Sequence, residues 1–412
     1  MNTQLEQQRI HDRRGDKYRA LPVLSAEEAA ARARDLAPVL RARAAQAEEL
    51  RCIPDSSIGD LLDSGLFGLA TPRHFGGSEL GFAAWLDAMV EIGAACGSTG
   101  WVFSVLLGHM HLVSCLPPQA QKEVFANPRT LVASLLRMGG APLERVEGGY
   151  SWQGGVGHFC SGIDHAEWVL LGGSLSEPDG TRDQRFFLIP RSEILVEDDW
   201  RTMGLQGTGS KTIRVVDSFV PEHRVMRMAD LLQGTTPGAA FHSSVHYRLP
   251  HAVVLPMTLC AALLGIARGA CQEFEKTLRA KLCKLDSEGI ADQTPLLIRL
   301  AESEAATDAA IAIVRAEAVR LDGCAEPVFT RLDRARYRRN ISYAALLCRD
   351  ATDGIFHLAG GASIYADVAL QRMWRDLNAG AQHFGLSWEA AAGAYTRAKL
   401  DLPPSKSDGA GR

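Results

Sequence analysis

Three textures of apolar and polar positions succeed one another along the chain. Between residues 25 and 126 apolar positions recur at three- and four-residue spacing, as in "SSIGDLLDSGLFGLATP" and "GFAAWLDAMVEIGAACGSTGWVFSVLLGHMHL", which predicts helices. The stretch beginning at Ser25 carries a start signal, Ser25 as N-cap with Glu28 three residues on. From 130 to 225, short runs rich in Val, Ile, Phe and Trp ("YSWQGG", "EWVLLGGSL", "RFFLIP", "TIRVVDSFVP") are separated by Gly, Pro and Asp turns, which predicts a compact antiparallel β domain. From 247 to 400 the helical pattern returns in long segments. The one over 294–323 has Thr294 as N-cap, Pro295 at the first helical position and Gly323 past its end. With the segments over 251–285, 328–361 and from "VALQRMWRDLNAGAQHF" onward, it predicts four long amphipathic helices in an antiparallel bundle. The expected domains are a flexible N-terminus (1–20), a helical domain (21–128), a β domain (129–232), a bundle (233–400) and a flexible tail (401–412).

The chain has 412 residues, 46% hydrophobic and 22% charged, with a formal net charge of −4. That is length for two or three cooperating domains, with no electrostatic reason to expect nucleic acid or an anionic membrane as partner. The first twenty residues are polar and lack the apolar core of a signal peptide. The longest apolar run, 252–267, is too short to span a bilayer and carries Pro256. Nine cysteines are scattered without a CxxC pair, mostly in apolar runs, and read as reduced thiols in a reducing compartment. The expectation is a soluble, cytoplasmic protein.

Candidate chemistry concentrates in "HFCSGIDHAEW", 158–168. Taken as a strand, it puts His158 and Cys160 on one face, Phe159 and Ser161 on the other. A metal site on that first face needs further convergent ligands, which no spacing supplies. Cys160 has no neighbour that depresses a thiol pKa, so it reads as an apolar filler, and Asp164 and His165 as turn residues. Ser161 is either a turn serine or a ligand contact, since its hydroxyl both donates and accepts. His109 sits in an otherwise apolar helix, where a lone histidine is usually a satisfied core residue, though a neutral imidazole there could also take a proton from a ligand. His111 competes for that role, but the two side chains diverge by about 160–200° on a helix, so only one can face a pocket. His383 follows Asp376 by two helical turns, with Gly380 on the same face beside Ala379, where lack of bulk would admit a flat ring. "GTGS" (207–210) precedes a strand rather than a helix, which excludes a phosphate-cradling loop; it reads as a turn at a pocket mouth, with Thr208 and Ser210 as ligand contacts. No GxGxxG follows a predicted strand, so no NAD(P)H domain is expected.

The α–β–α order, with "TPRHFGG" at 71–77, "MGLQGTGSKTIRVVDSFVPEHRV" at 203–225 and "RDLNAGAQHF" at 375–384, resembles the acyl-CoA dehydrogenase fold. That fold is mostly α with a central β domain: an N-terminal helical domain, an antiparallel β-barrel domain and a C-terminal four-helix bundle. Phe159, Ser161, Gly162, Asp164 and His165, together with Arg375, Asp376, Ala379 and His383, are similar to segments of its flavin-dependent two-component monooxygenases. The resemblance implies an oxygenase component that takes reduced flavin (FMNH2 or FADH2) from a separate NAD(P)H:flavin reductase. It would react the flavin with O2 through a C4a-hydroperoxyflavin and hydroxylate a small aromatic or heteroaromatic molecule. A homotetramer is implied, and no metal. The resemblance assigns Phe159, Ser134, Asp376, Ala379 and Gly380 to the flavin and Ser161 to its N5 edge. Trp101, His109, Thr208 and Ser210 fall to the substrate, with His109 deprotonating or positioning it and His383 supporting the peroxide. An N- or S-oxygenase on this fold, an acyl-CoA dehydrogenase-type oxidoreductase and a helical scaffold without flavin chemistry stay open. The second is the weaker, because no glutamate is placed to remove a substrate α-proton.

Overall fold

The computed structural model describes residues 19–405 except 141–142 and 177–178, so the termini expected to be flexible lie outside the described residues apart from 19–20 and 401–405. The capping box forms as read. Ser25 Oγ accepts from Glu28 N at 3.2 Å and the Glu28 carboxylate accepts from Ser25 N at 2.7 Å, opening helix α1 (Ala26–Ala42). Helices α2 (Ala44–Leu50), α3 (Asp55–Asp63), α4 (Phe82–Ala95), α5 (Gly97–Cys115) and α6 (Pro118–Phe125) complete the N-terminal region. α5 is buried along its whole length, which explains why its polar residues all need partners.

The strands are β1 (Val132–Leu135), β2 (Leu143–Val146), β3 (Gly149–Gln153), β4 (Val156–Cys160), β5 (Trp168–Ser176), β6 (Arg182–Pro190), β7 (Ile194–Glu197), β8 (Lys211–Val215), β9 (Asp217–Pro221) and β10 (Val225–Arg227). Among the described residues they pair in three sheets, ordered β1-β5-β6-β10, β2-β3-β9 and β4-β8-β7. All pairs are antiparallel except β1 with β5, which run parallel. Trp152 and Tyr150 meet Phe187 edge-on at 5.1 and 5.3 Å and anchor the core shared by these sheets.

Helices α7 (Met228–Gln233) and α8 (Pro237–Phe241) lead into the C-terminal region: α9 (His251–Leu282), α10 (Ser287–Ala291), α11 (Thr294–Asp322), α12 (Arg331–Leu358), α13 (Ala369–Gly380) and α14 (Trp388–Lys399). The apolar run that opens α9 packs between α4, α5 and α12, and these neighbours cover its leucines and valines. Contact with α4 is backbone to backbone. A Cβ on Gly93 would lie 3.1 Å from Gly265 Cα, so both positions need glycine for the helices to approach this closely.

Two details differ from the expectation. α11 starts at Thr294, not after it: its cap position is Gln293, and the Thr294 hydroxyl donates to Ala291 O at 2.6 Å instead of capping. The fourth long helix is two short ones, α13 and α14, because the chain turns out of α13 after Gly380 and a 3-10 turn follows at Phe384–Leu386.

The C-terminal helices hold the N-terminal ones by a side chain from far along the chain. α4 begins after Gly81, which has no side chain to cap it, and Asp322 fills that role, accepting from Phe82 N at 2.6 Å and Ala83 N at 3.0 Å while pairing with His246 at 3.2 Å. Asp322→Ala is expected to lower the free energy of unfolding by about 1–2 kcal/mol, and Asp322→Asn by less, since the amide oxygen still accepts. Urea denaturation of the three proteins checks this; equal stability of the alanine variant and the wild type would refute the long-range cap.

Candidate active site

β4 runs towards Ser161 but loses its alternation on the way. A bulge falls between Gly157 and Cys160, and Phe159 takes a left-handed backbone (φ 69°). The shared faces expected of a regular strand therefore do not form. His158 and Phe159 both lie exposed, Cys160 is buried, and Ser161 turns inward at the strand end. Phe159 is 69% exposed and meets Trp200 edge-on at 5.9 Å, at the lip of the site rather than its wall. Asp164 and His165 do more than hold a turn. Asp164 pairs with Lys211 at 2.8 Å, while His165 faces Cys52 at 3.4 Å and Asp55 at 3.5 Å, joining the β region to α2 and α3. Burial pushes the Cys52 and Cys160 thiols far up, so neither is a nucleophile.

Ser161 Oγ accepts from Trp101 Nε1 at 3.2 Å and lies 2.7 Å from Ser210 Oγ, which lies 2.6 Å from Thr208 Oγ1. Thr208 Oγ1 is 2.8 Å from Leu205 O, where only the hydroxyl can donate. The proton inventory then sets the direction of the whole chain. With the Thr208 proton committed to the carbonyl, Ser210 donates to Thr208 and Ser161 donates to Ser210. Ser161 is left with one lone pair, and any further partner must bring the hydrogen.

The chain ends on a strained loop. Leu205 is left-handed (φ 52°), its carbonyl accepts also from Trp200 Nε1 at 3.0 Å, and its N–H donates to Asp376 Oδ1 at 2.6 Å. Asp376 is buried at the start of α5, where a Cβ on Gly97 would sit 2.6 Å from its Oδ2. Next to it Arg375 donates to Met203 O at 2.6 Å and pairs with Glu48 at 2.5 Å. Leu205 lies in the 203–225 segment that carries the family resemblance, but neither it nor Trp200 stands out as a site residue in the sequence.

The two histidines on α5 diverge as expected, and each is tied to a carbonyl. His109 Nδ1 donates to Val132 O at 2.9 Å, so Nε2 is the bare nitrogen. His111 Nε2 donates to His246 O at 3.0 Å and the ring stacks on Tyr247. Burial lowers the pKa of both to about 4. His383 is not on the face of Asp376: it lies past the end of α13, where the helix breaks. There Nδ1 accepts from Gly385 N at 3.1 Å, which puts the proton on Nε2. Burial lowers it too, to about 4, and its ring stands 6.1 Å from that of Trp101. The room at Gly380 is already taken, since a Cβ there would meet Leu263 at 2.7 Å and Trp101 at 3.1 Å; the glycine admits the indole. Ala379 is half-buried beside it, and Ser134 donates to Leu170 O at 2.8 Å. Trp101, Ser161, Thr208, Ser210, Asp376, Gly380 and His383 are thus brought together, with His109 on the same helix as Trp101. Phe159 stands outside the group.

The chain matches the acyl-CoA dehydrogenase N-terminal domain over residues 26–128 and the acyl-CoA dehydrogenase C-terminal domain over 257–388, which accounts for the helical regions on either side of the strands. It is 35% identical over 374 residues to the "Pigment production hydroxylase" of Rhodococcus sp. (strain ATCC 21145), covering 90% of this chain and 95% of that one. It is 33% identical over 387 residues to the oxygenase component of the FADH(2)-dependent resorcinol hydroxylase of Rhizobium sp. (strain MTP-10005), covering 90% and 93%. The crystal structure of the 3-HSA hydroxylase from Rhodococcus sp. RHA1 superposes with a TM-score of 0.86 at 32% identity, covering 92% of this chain and 98% of that one. The chain belongs to the flavin-dependent monooxygenases of the acyl-CoA dehydrogenase fold.

Burial of Asp376 outweighs the Leu205 N–H and raises its pKa from 3.8 to about 7. The folded protein therefore keeps a proton that the unfolded chain gives up above pH 3.8, and stability falls as pH rises from there towards 7. Over that window the loss from this group is about 4 kcal/mol. Asp376→Asn keeps an acceptor for Leu205 N and removes the titration, so its unfolding free energy is expected to fall less than the wild type's between pH 4 and 8. Parallel pH profiles would contradict the buried proton.

Proposed function

We propose that this chain is the oxygenase component of a two-component system, hydroxylating a small aromatic molecule with reduced flavin and O2. The observation that carries the reading is the directed hydroxyl chain ending at Ser161. Its single open lone pair asks for a hydrogen-bond donor, and a reduced flavin ring carries an N–H at N5 where the oxidised ring has a bare nitrogen. The residues fit the reduced cofactor. Ser161 would hold it at N5, with Trp101 and His383 nearby, and when bound it supplies the electrons that activate O2. With the flavin bound, Ser161 would keep the N5 proton in place, because its own hydrogen points away, into Ser210.

His109 is set up to position rather than to deprotonate. A phenol proton has a pKa of about 10, and burial lowers the His109 pKa from 6.5 to about 4, which disfavours full proton transfer to it. Its bare Nε2 accepts a hydrogen bond from a phenolic hydroxyl and orients the ring in a site that excludes water. His383 offers its Nε2–H as a donor for an oxygen atom.

FADH2 is the form named for the Rhizobium relative, and a separate reductase supplying it follows from that relative's description as an oxygenase component. A homotetramer would cover Val328, Ile364 and Tyr365, in the connections that join the C-terminal helices, apolar yet 82%, 70% and 67% exposed. All nine cysteines are free thiols, as a reducing, cytoplasmic setting requires.

Ser161→Ala is expected to lower product formed per reduced flavin about 5-fold, the worth of one hydrogen bond of about 1 kcal/mol, with hydrogen peroxide rising to match. His109→Leu is expected to raise KM for phenol about 10-fold with a smaller change in kcat. Product yield, peroxide assay and steady-state kinetics check both. Unchanged coupling in the serine variant, or a kcat loss of about 100-fold at constant KM in the histidine variant, would contradict these roles.

A further inference from the structure

His251 opens α9 and is buried, yet neither ring nitrogen has a hydrogen-bond partner among the described residues. An unpaired buried polar group costs about 1–3 kcal/mol, so an imidazole with both nitrogens unused needs a reason. Its place supplies one. α9 runs antiparallel to α5: positions 97 and 108 on α5 lie against Ile266 and Thr258, respectively, on α9. The start of α9 therefore lies beyond Gly108, towards the C-terminal end of α5. On α5, His109 and His111 flank the stripe formed by Trp101, Val105, Gly108 and Leu112, and α9 crosses on the Gly108 side. His251 precedes Thr258 by seven residues, two helical turns, so it shares the α9 face that meets Gly108 and is turned towards the last turns of α5, where His109 and His111 lie. Trp101, with Ser161 bonded to it, stands at the other end of the same stripe.

We propose that His251 is a second substrate-recognition residue, binding a hydroxyl group on the aromatic ring remote from the hydroxyl held by His109. The substrate class is then an arene with two hydroxyl groups. This rests on the oxygenase reading above and deepens it. A neutral imidazole offers one donor and one bare acceptor, and a hydroxyl group answers both, whereas a carbonyl uses one and an alkyl group neither. Burial holds the ring neutral, lowering its pKa to about 3, so it gives a carboxylate no cation. His111 cannot take the role: its Nε2 is committed to the His246 carbonyl and its ring to Tyr247.

The probes are resorcinol, phenol and 3-hydroxybenzoate, used with wild type, His251→Leu and His251→Asn carrying reduced FAD. In wild type, kcat/KM for resorcinol is expected to exceed that for phenol by about 10-fold, with 3-hydroxybenzoate below resorcinol, as one hydroxyl bonded twice implies. His251→Leu removes that preference, and His251→Asn, which keeps a donor and an acceptor, restores part of it. Anaerobic calorimetry of resorcinol and phenol on the same complexes reads the preference without turnover. If the leucine variant does not fold, His251→Phe gives the same readout. A resorcinol preference that survives in His251→Leu, or none in wild type, overturns the inference. If neither ring is turned over but resorcinol still binds wild type more tightly and the leucine variant does not discriminate, the inference stands and the oxygenase reading falls.

Discussion

The site depends on one hydrogen bond between a buried carboxylate and a backbone amide. Asp376, on a C-terminal helix, receives the N–H of Leu205, in the loop that leaves the β region, while lying against Gly97 at the start of α5. Three parts of the chain, far apart in sequence, meet at that carboxyl group. That bond fixes the amide side of the left-handed Leu205, whose carbonyl is the point on which Thr208 and Trp200 converge and from which the hydroxyl chain up to Ser161 takes its direction. The functional serine is oriented by its neighbours' protons, and those are oriented by a carbonyl fixed from the opposite side.

This ordering matters because hydroxyl groups are ambiguous by nature. A serine alone can present a hydrogen or a lone pair. Here the commitment of each proton down the line leaves Ser161 able only to accept, and the proposed contact with the N5–H of a reduced flavin rests on that property. Trp101 serves the same end twice, donating to Ser161 and filling the space that Gly380 leaves open. His109 and His383, both kept neutral by burial, complete a site that positions and donates hydrogen bonds but carries little charge.

Much of this architecture was legible in the residues. The textures set out helices, strands and helices in the right order, the Ser25–Glu28 capping box formed as written, and the divergence of His109 and His111 followed from helical geometry alone. Resemblance, rather than periodicity, brought Ser161, Trp101 and Asp376 into one site. The failures have physical causes. Alternation put Phe159 on the face of Ser161, but a bulge and a positive φ are tertiary choices that a pattern of period two does not encode. Two-turn spacing put His383 beside Asp376, but the helix ends at Gly380, and spacing says nothing about where a helix stops when no proline or cap marks it. Gly380 was read as room for a ligand and proves to be room for an indole, because the occupant comes from a residue nearly three hundred positions away. Leu205 was invisible, since its contribution is a carbonyl and an N–H that every residue possesses.

The central claim is that this scaffold delivers one atom of O2 to an aromatic ring by way of reduced flavin. Single-turnover mixing of the anaerobic reduced-FAD complex with isotopically labelled O2 and resorcinol tests it most directly. The account predicts that each molecule of hydroxylated product carries one labelled oxygen, and that no product forms when oxidised FAD replaces the reduced form. Unlabelled product, or full recovery of the flavin electrons as hydrogen peroxide whatever ring is supplied, would contradict it.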